Sequence, residues 1–306
     1  MIAKIQPETI SIQLAAAFKK QDPTGERLGR VFRESFDQIY DGQHTGRFAI
    51  SQLSKTESAH LGSIVEINIR REFDGFIGDG EVMDFDIEGF EVDCKYSKQK
   101  FGWMIPIEAL GHHGMLCHAD DEQGTFRVGF ALLDDSILTR GGNRDGKRSI
   151  SAAGRSAIQW LFLDEAFPPN TLLQLSEEDR AKIFSSGSGA QRLNELFRIA
   201  QGIIVPRGII ATVAQQKDYM KRIRYNGGSR SALQPEGIVI LGDYLKHQKI
   251  ASELGLPIPK DGDSLSTRLV KCEKSFEGSK TYIDDSYWRI ATPTDEVEPA
   301  PTLPFK

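Results

Sequence analysis

At 306 residues, 39% of them apolar, the chain is long enough for two ordinary domains, and its net charge of -5 excludes a uniformly basic nucleic-acid binder. It has no run of about 18 apolar residues that could cross a membrane, and Met1–Pro7 lacks the charged-then-apolar pattern of a secretory signal. Cys94, Cys117 and Cys272 are scattered and odd in number, which argues against a disulfide framework and makes a reducing, cytoplasmic setting the expectation.

In chain order, residues 1 to about 40 read as helical, with Ile12, Leu14 and Phe18 and then Leu28, Val31 and Phe32 at helical spacing. From Ile64 to about Phe130 the pattern is mostly strands, beginning with the apolar stretch Ile64–Ile69 around Glu66 and interrupted by a short helix near Ile107–Gly111. Met83–Tyr96 alternates apolar and polar residues around Glu88-Gly89, a two-residue turn. This hairpin sets Asp84 opposite Asp93, Phe85 opposite Val92, Asp86 opposite Glu91, Ile87 opposite Phe90 and Met83 opposite Cys94. A helix is expected over Ser151–Phe162, and Pro168-Pro169 then breaks the pattern.

The expected organisation is a first domain over 1–168, a linker over 169–188, a mainly helical second domain over 189–292 and a mobile, proline-containing tail over 293–306. In the second half, helices over Gln191–Gln201, Pro206–Ala214 and Lys217–Asn226 give a helix, short turn and basic helix. Ser229–Leu233 and the strand-like Gly237–Leu241 could form a wing after them.

Two features carry chemistry. Between Gly78 and Asp93 stand seven acids (Asp79, Glu81, Asp84, Asp86, Glu88, Glu91, Asp93) and no base, and Lys95 follows Asp93 on the same strand face. Carboxylates opposed across a hairpin repel one another unless something positive relieves them. Hard oxygen ligands on two or three carboxylates suit Mg²⁺ better than Zn²⁺. The plain alternative is an exposed hairpin with a solvated acidic face.

The second feature is the distribution of positive charge. Gln191–Arg230 holds eight bases against two acids, and Arg140, Arg144, Lys147, Arg148 and Arg155 enclose only Asp145. On the expected basic helix Lys217, Lys221 and Arg224 share one face while Met220 and Ile223 share another, as in a recognition helix that lies against DNA. The candidate DNA contacts are Arg140, Arg144, Lys147 and Arg148 in a glycine-containing loop, with Lys217, Lys221, Arg222, Arg224 and Arg230 farther on. Ordinary solvated basic surfaces are the competing reading. His112-His113 with Cys117-His118 matches no common zinc spacing and reads as packing.

Together these residues resemble the NaeI family of type II restriction endonucleases along nearly the whole chain. The resemblance is carried by Val65-Glu-Ile-Asn68, Arg71-Glu-Phe73, Asp84, Val92-Asp-Cys-Lys-Tyr-Ser97, Asp145-Gly-Lys-Arg148, Ala214-Gln-Gln216 and Met220-Lys-Arg-Ile-Arg224. Ile39-Tyr-Asp-Gly42 is similar to the K-x-D-G motif of DNA ligases, but isoleucine replaces the lysine whose amine would be adenylated, so this segment reads as structural.

The resemblance implies an α/β nuclease domain of the PD-(D/E)xK type, built on a mixed sheet flanked by helices and followed by a winged helix-turn-helix domain. It also implies a homodimer acting on double-stranded DNA, stimulation by a second DNA copy, and a cognate DNA methyltransferase acting on the same site. Asp84, Asp93 and Glu66 are then the expected Mg²⁺ ligands, with Lys95 completing the catalytic set; Asp86 and Asp79 compete with Asp84, and Glu66 could be a buried structural acid. Two other readings stay open: a nicking or repair endonuclease of the MutH kind, and a non-catalytic helix-turn-helix regulator.

Overall fold

A computed structural model describes residues 7–225 and 227–304, and the chain divides into two compact units. The first runs to Ile39 and resumes over Ile50–Pro169; the second comprises Tyr40–Ala49 and the chain from Asn170 onward.

The first unit contains helices α1 (Pro7–Gln21) and α2 (Glu26–Tyr40), whose last residue already belongs to the second unit, as does the short α3 (Gly42–Thr45). Helix α4 (Lys55–Glu72) follows. A six-stranded mixed sheet then runs in chain order: β1 (Ile77–Asp79), β2 (Phe85–Ile87), β3 (Phe90–Ser97), β4 (His113–Asp120), β5 (Thr125–Leu132) and β6 (Gln159–Ala166). β3 and β4 are parallel and every other neighbouring pair is antiparallel. One face is covered by helices, with Phe18 6.0 Å from Phe130 and Phe32 5.2 Å from Phe126 between ring centroids. The other face buries Leu116 and Ala131 beneath Trp103, Ile105, Leu138 and Ile150 from the connecting segments. Covered on both faces, β4 is buried along almost its whole length, as a near-continuous apolar strand requires.

The expected strand at Ile64–Ile69 is instead the middle of α4. Ser54 and Glu57 form a reciprocal capping box, and Leu61, Ile64, Val65, Asn68 and Ile69 make one buried face at helical spacing. A six-residue, mostly apolar stretch is too short to distinguish a strand from a helix face. The helix expected over Ser151–Phe162 reduces to a 3-10 turn at Gly154–Ala157, after which β6 begins. Trp160 and Phe162 recur every second residue and pair with Gly129 and Val128 of β5, so sheet pairing wins here.

The second unit is mixed where a mainly helical domain is expected. Helices α5 (Thr171–Gln174), α6 (Glu177–Ser185) and α7 (Gly189–Ile199) precede strand β7 (Ile204–Val205) and helix α8 (Arg207–Ala214). Then come α9 (Ser229–Leu233), β8 (Ile238–Gly242), α10 (Leu245–Glu253), β9 (Ser264–Cys272), β10 (Thr281–Ile283) and β11 (Ser286–Ile290). Strand β9 is the spine of an antiparallel sheet, pairing with β7 and β8 through its first half and with β11 through its second.

Residues 169–188, expected as a linker, hold α5 and α6 and place Leu172, Leu175 and Ile183 in the core of the unit. The expected basic helix over Lys217–Asn226 is a 3-10 turn at Tyr219–Ile223, and Asn226 lies outside the described residues. The expected wing segment Ser229–Leu233 is helical. The last segment, expected to be mobile, packs against the sheet through buried Ala300 and Leu303, and Asp295 accepts hydrogen bonds from both terminal nitrogens of Arg289 at 2.7 Å. Of the described apolar residues there only Ala300 and Leu303 are buried, and they stand among prolines and acids, which is why composition hides them. Among the described residues no helix is long and apolar enough to cross a membrane.

Candidate active site

The β2–β3 hairpin has the register read from alternation, with Phe85, Asp86 and Ile87 opposite Val92, Glu91 and Phe90. Glu88 and Gly89 both take positive φ, 54° and 83°, as a tight two-residue turn requires. The ladder stops at Phe85, however, so from Asp93 onward β3 has β4 on one side and no described strand on the other. That open edge is where the site forms. The Cys94 N–H, lacking a strand partner there, donates to Asp84 Oδ2 at 2.7 Å.

Lys95 Nζ donates to Asp93 Oδ1 at 2.6 Å and to the Cys94 carbonyl at 3.1 Å, and lies 3.5 Å from Asp84 Oδ2. Asp93 is 5% exposed, and its second oxygen, Oδ2, is buried with no hydrogen-bond partner. Burial raises the proton affinity of Asp93 against the pull of Lys95. Burial also opposes the Lys95 ammonium, but its hydrogen bond to Asp93 and the charges of Asp93 and Asp84 outweigh this and raise its pKa. Cys94 beside them is held as a neutral thiol by a hydrogen bond with Cys117 and by burial.

Glu66 reaches the same field from α4. Burial, then the charge of Asp84, raises its pKa, with Asp93 adding to the effect and Arg70 and Lys95 opposing it. Its carboxylate lies 3.7 Å from the Arg70 guanidinium one helical turn on. The competing acids are occupied elsewhere: Asp86 accepts from the Gly89 N–H at 3.0 Å inside the turn, and Asp79 pairs with Arg70. Among the described residues no group of three or more His, Cys, Asp or Glu side chains is arranged to hold a metal ion. What the geometry offers a cation is more open: two carboxylates 2.6 and 3.5 Å from one ammonium, an unpartnered carboxylate oxygen on Asp93, and Glu66 nearby. This all-oxygen donor set fits a hard divalent ion.

Two residues of this region escape a sequence reading. Arg70 would be visible as the i+4 partner of Glu66 only once α4 is known to be a helix. Glu91, which reads as part of an acidic outer face, turns its carboxylate onto the backbone before Asp84.

The structure sorts the basic residues. In the first unit Arg140, Arg144 and Lys147 are exposed on a loop closed by Asn143, whose Oδ1 accepts from the N–H groups of Asp145 and Lys147. Arg148 points inward instead, donating to the Thr139 carbonyl at 2.6 Å and pairing with Asp135.

In the second unit, Lys217 and Arg224 are exposed, Lys221 pairs with Asp218 at 2.9 Å, and Arg222 donates to Gln216 at 2.8 Å. With the 3-10 turn in place of a helix, Lys217, Lys221 and Arg224 do not form the expected helical face. Arg230 is half-buried, donates to the Ile240 carbonyl at 2.9 Å, and has its pKa lowered by that burial. Lys221, Arg224 and Arg230 line a cavity of about 490 Å³ together with Tyr225, Tyr244 and His247. His113, Cys117 and His118 lie buried along β4.

The family model for restriction endonuclease NaeI matches residues 12–299. The chain is also similar to the type II restriction enzyme NaeI of Lentzea aerocolonigenes, with 40% identity over 308 residues, covering 98% of this chain and 96% of that protein. With both matches running nearly end to end, the chain belongs to the NaeI family of restriction endonucleases, hydrolases that cut DNA at specific sites.

Proposed function

We propose that this chain cleaves both strands of DNA by Mg²⁺-dependent phosphodiester hydrolysis at the open edge of β3. Asp84 and Asp93 hold the ion and Glu66 completes or orients its surroundings. The observation that carries this reading is the buried, unpartnered Asp93 Oδ2 beside the Lys95–Asp84 contact. A bound divalent cation supplies Lewis-acid neutralisation of the phosphate charge. Lys95, an ammonium at the mouth of the same site, donates hydrogen bonds that orient the attacking water and stabilise charge on the non-bridging phosphate oxygens. Asp93 keeps that ammonium in place, and the buried strand beneath it limits how far it can move.

In this reading the first unit is a PD-(D/E)xK nuclease domain, and the second is a DNA-binding domain related to the winged helix-turn-helix type. Arg140, Arg144 and Lys147 meet DNA phosphates at the first unit. Lys217, Lys221, Arg222, Arg224 and Arg230 meet DNA at the second, and Arg148 supports its loop from within. The enzyme acts as a homodimer in the cytoplasm, is stimulated by a second DNA copy, and is paired with a methyltransferase that protects the same site.

Digestion of a mapped supercoiled plasmid in Mg²⁺ tests the reading. Wild type should give linear DNA and discrete fragments, and Lys95→Ala should give neither. Accumulation of nicked circles alone, or identical fragments from both proteins, would overturn it.

A further inference from the structure

Asp84 differs from the other acids of the site in lying on neither a helix nor a strand: it ends the short connection between β1 and β2, where Val82 is 67% exposed. A carboxylate on such a segment would ordinarily sample many positions, yet this one is tied from two sides. The Glu91 carboxylate accepts hydrogen bonds from three successive amides, those of Glu81 at 2.7 Å, Val82 at 3.2 Å and Met83 at 2.7 Å, and so gathers the backbone just before Asp84. Gly80 permits that approach, since a Cβ there would lie 2.8 Å from Glu91 Oε2 and 2.3 Å from the Met83 carbonyl. On the other side, the Arg70 guanidinium donates to the backbone carbonyl of Asp84 and to the carboxylate of Asp79, so one rigid fork binds both ends of the connection. It also lies over the Phe85 ring, 5.4 Å from the centroid, and 3.7 Å from Glu66.

We infer that Arg70 and Glu91 are positioning residues for metal binding. They hold Asp84 where its carboxylate meets the Cys94 N–H and faces Lys95, and Arg70 also sets the charge environment of Glu66. Neither touches the reacting atoms; Glu91 acts through Asp84, and Arg70 through Asp84 and Glu66. The inference rests on the nuclease reading of the site, and partners of this kind beyond the ligands commonly change metal affinity by about 10–100-fold.

The test measures Mg²⁺ binding to the full-length protein without DNA by isothermal titration calorimetry, alongside the Mg²⁺ concentration that gives half-maximal plasmid cleavage. Arg70→Met and Glu91→Gln should each raise the Mg²⁺ dissociation constant and the half-maximal Mg²⁺ concentration by about tenfold or more, while circular dichroism melting stays near wild type. Arg70→Lys, which keeps the charge but loses the fork, should fall between Arg70→Met and wild type and decides the matter if Arg70→Met fails to fold. Wild-type Mg²⁺ affinity in folded Arg70→Lys and Glu91→Gln would overturn the positioning role while leaving the nuclease reading intact. A wild-type protein that binds Mg²⁺ but cuts no DNA would overturn the nuclease reading instead.

Discussion

Lys95 Nζ donates to one oxygen of Asp93 at 2.6 Å while the other oxygen of that carboxylate is buried without a partner. The side chains are unequally enclosed, 7% exposed for Asp93 and 25% for Lys95. Removing the lysine therefore leaves a buried charge behind, whereas removing the carboxylate leaves an ammonium that water can reach.

That asymmetry predicts how the site responds to an ion. Without metal, Lys95→Ala should unfold at a lower temperature than Asp93→Asn, and Mg²⁺ should raise the melting temperature of Lys95→Ala more than that of wild type. Melting curves with and without Mg²⁺, in the absence of DNA, read this directly. A Lys95→Ala melting temperature indifferent to Mg²⁺ would count against Asp84 and Asp93 as ligands.

The basic loop of the first unit separates surface charge from internal support. Arg144→Ala and Lys147→Ala should each weaken DNA binding and reduce the dependence of log affinity on log salt by about one, with stability within about 0.5 kcal/mol of wild type. Arg148→Ala should cost about 1–2 kcal/mol of stability, because the Thr139 carbonyl loses its hydrogen bond and Asp135 its partner. Binding isotherms at several salt concentrations and denaturant unfolding distinguish the two classes; equal stability loss in all three variants would refute the sorting.

His247 gives the second unit a pH dependence of definite sign. It accepts from the Gly242 N–H at 3.0 Å, lies 3.2 Å from the Pro304 carbonyl and is 2% exposed; burial, then the charge of Arg230, lowers its pKa to about 4. The unfolded chain, near 6.5, takes up the proton first, so stability is fully present above about pH 6.5 and is lost as pH falls towards 4. Between pH 7 and 5 the loss should be about 2 kcal/mol. Urea unfolding of wild type and His247→Gln at the two pH values checks it, since the variant should lose that part of the pH dependence.

The C-terminal segment also makes a measurable demand. Leu303 is 1% exposed and its N–H donates to the Tyr225 hydroxyl at 2.9 Å, so Leu303→Ala should destabilise the second unit by about 2–3 kcal/mol. A tail that contributed nothing would leave the unfolding midpoint unchanged.

The strength and the limits of local pattern both show in the hairpin. Its register follows from strict alternation and a turn whose two residues can take positive φ, so the pairing of Phe85 with Val92 is readable from sequence. The same period misleads at Ile64–Ile69, where six residues satisfy a strand and a helix face equally and the capping box at Ser54 decides. Helical spacing misleads at Lys217–Arg224, where the chain forms a 3-10 turn over Tyr219–Ile223.

By itself the sequence determined the chemistry available: carboxylates and a lysine at D-x-K spacing, basic segments in both halves and the family to which they belong. Tertiary structure decided which of those groups meet. Asp84 faces Lys95 because β2 pairs with β3 only from the next residue, Phe85, and Glu66 joins them because α4 packs against β3. Asp86 and Glu91, from the same acidic run, are spent on turn and backbone amides. The difference is physical. Alternation and spacing encode neighbours along one element, whereas a site at an open sheet edge depends on where pairing stops and what packs into the gap.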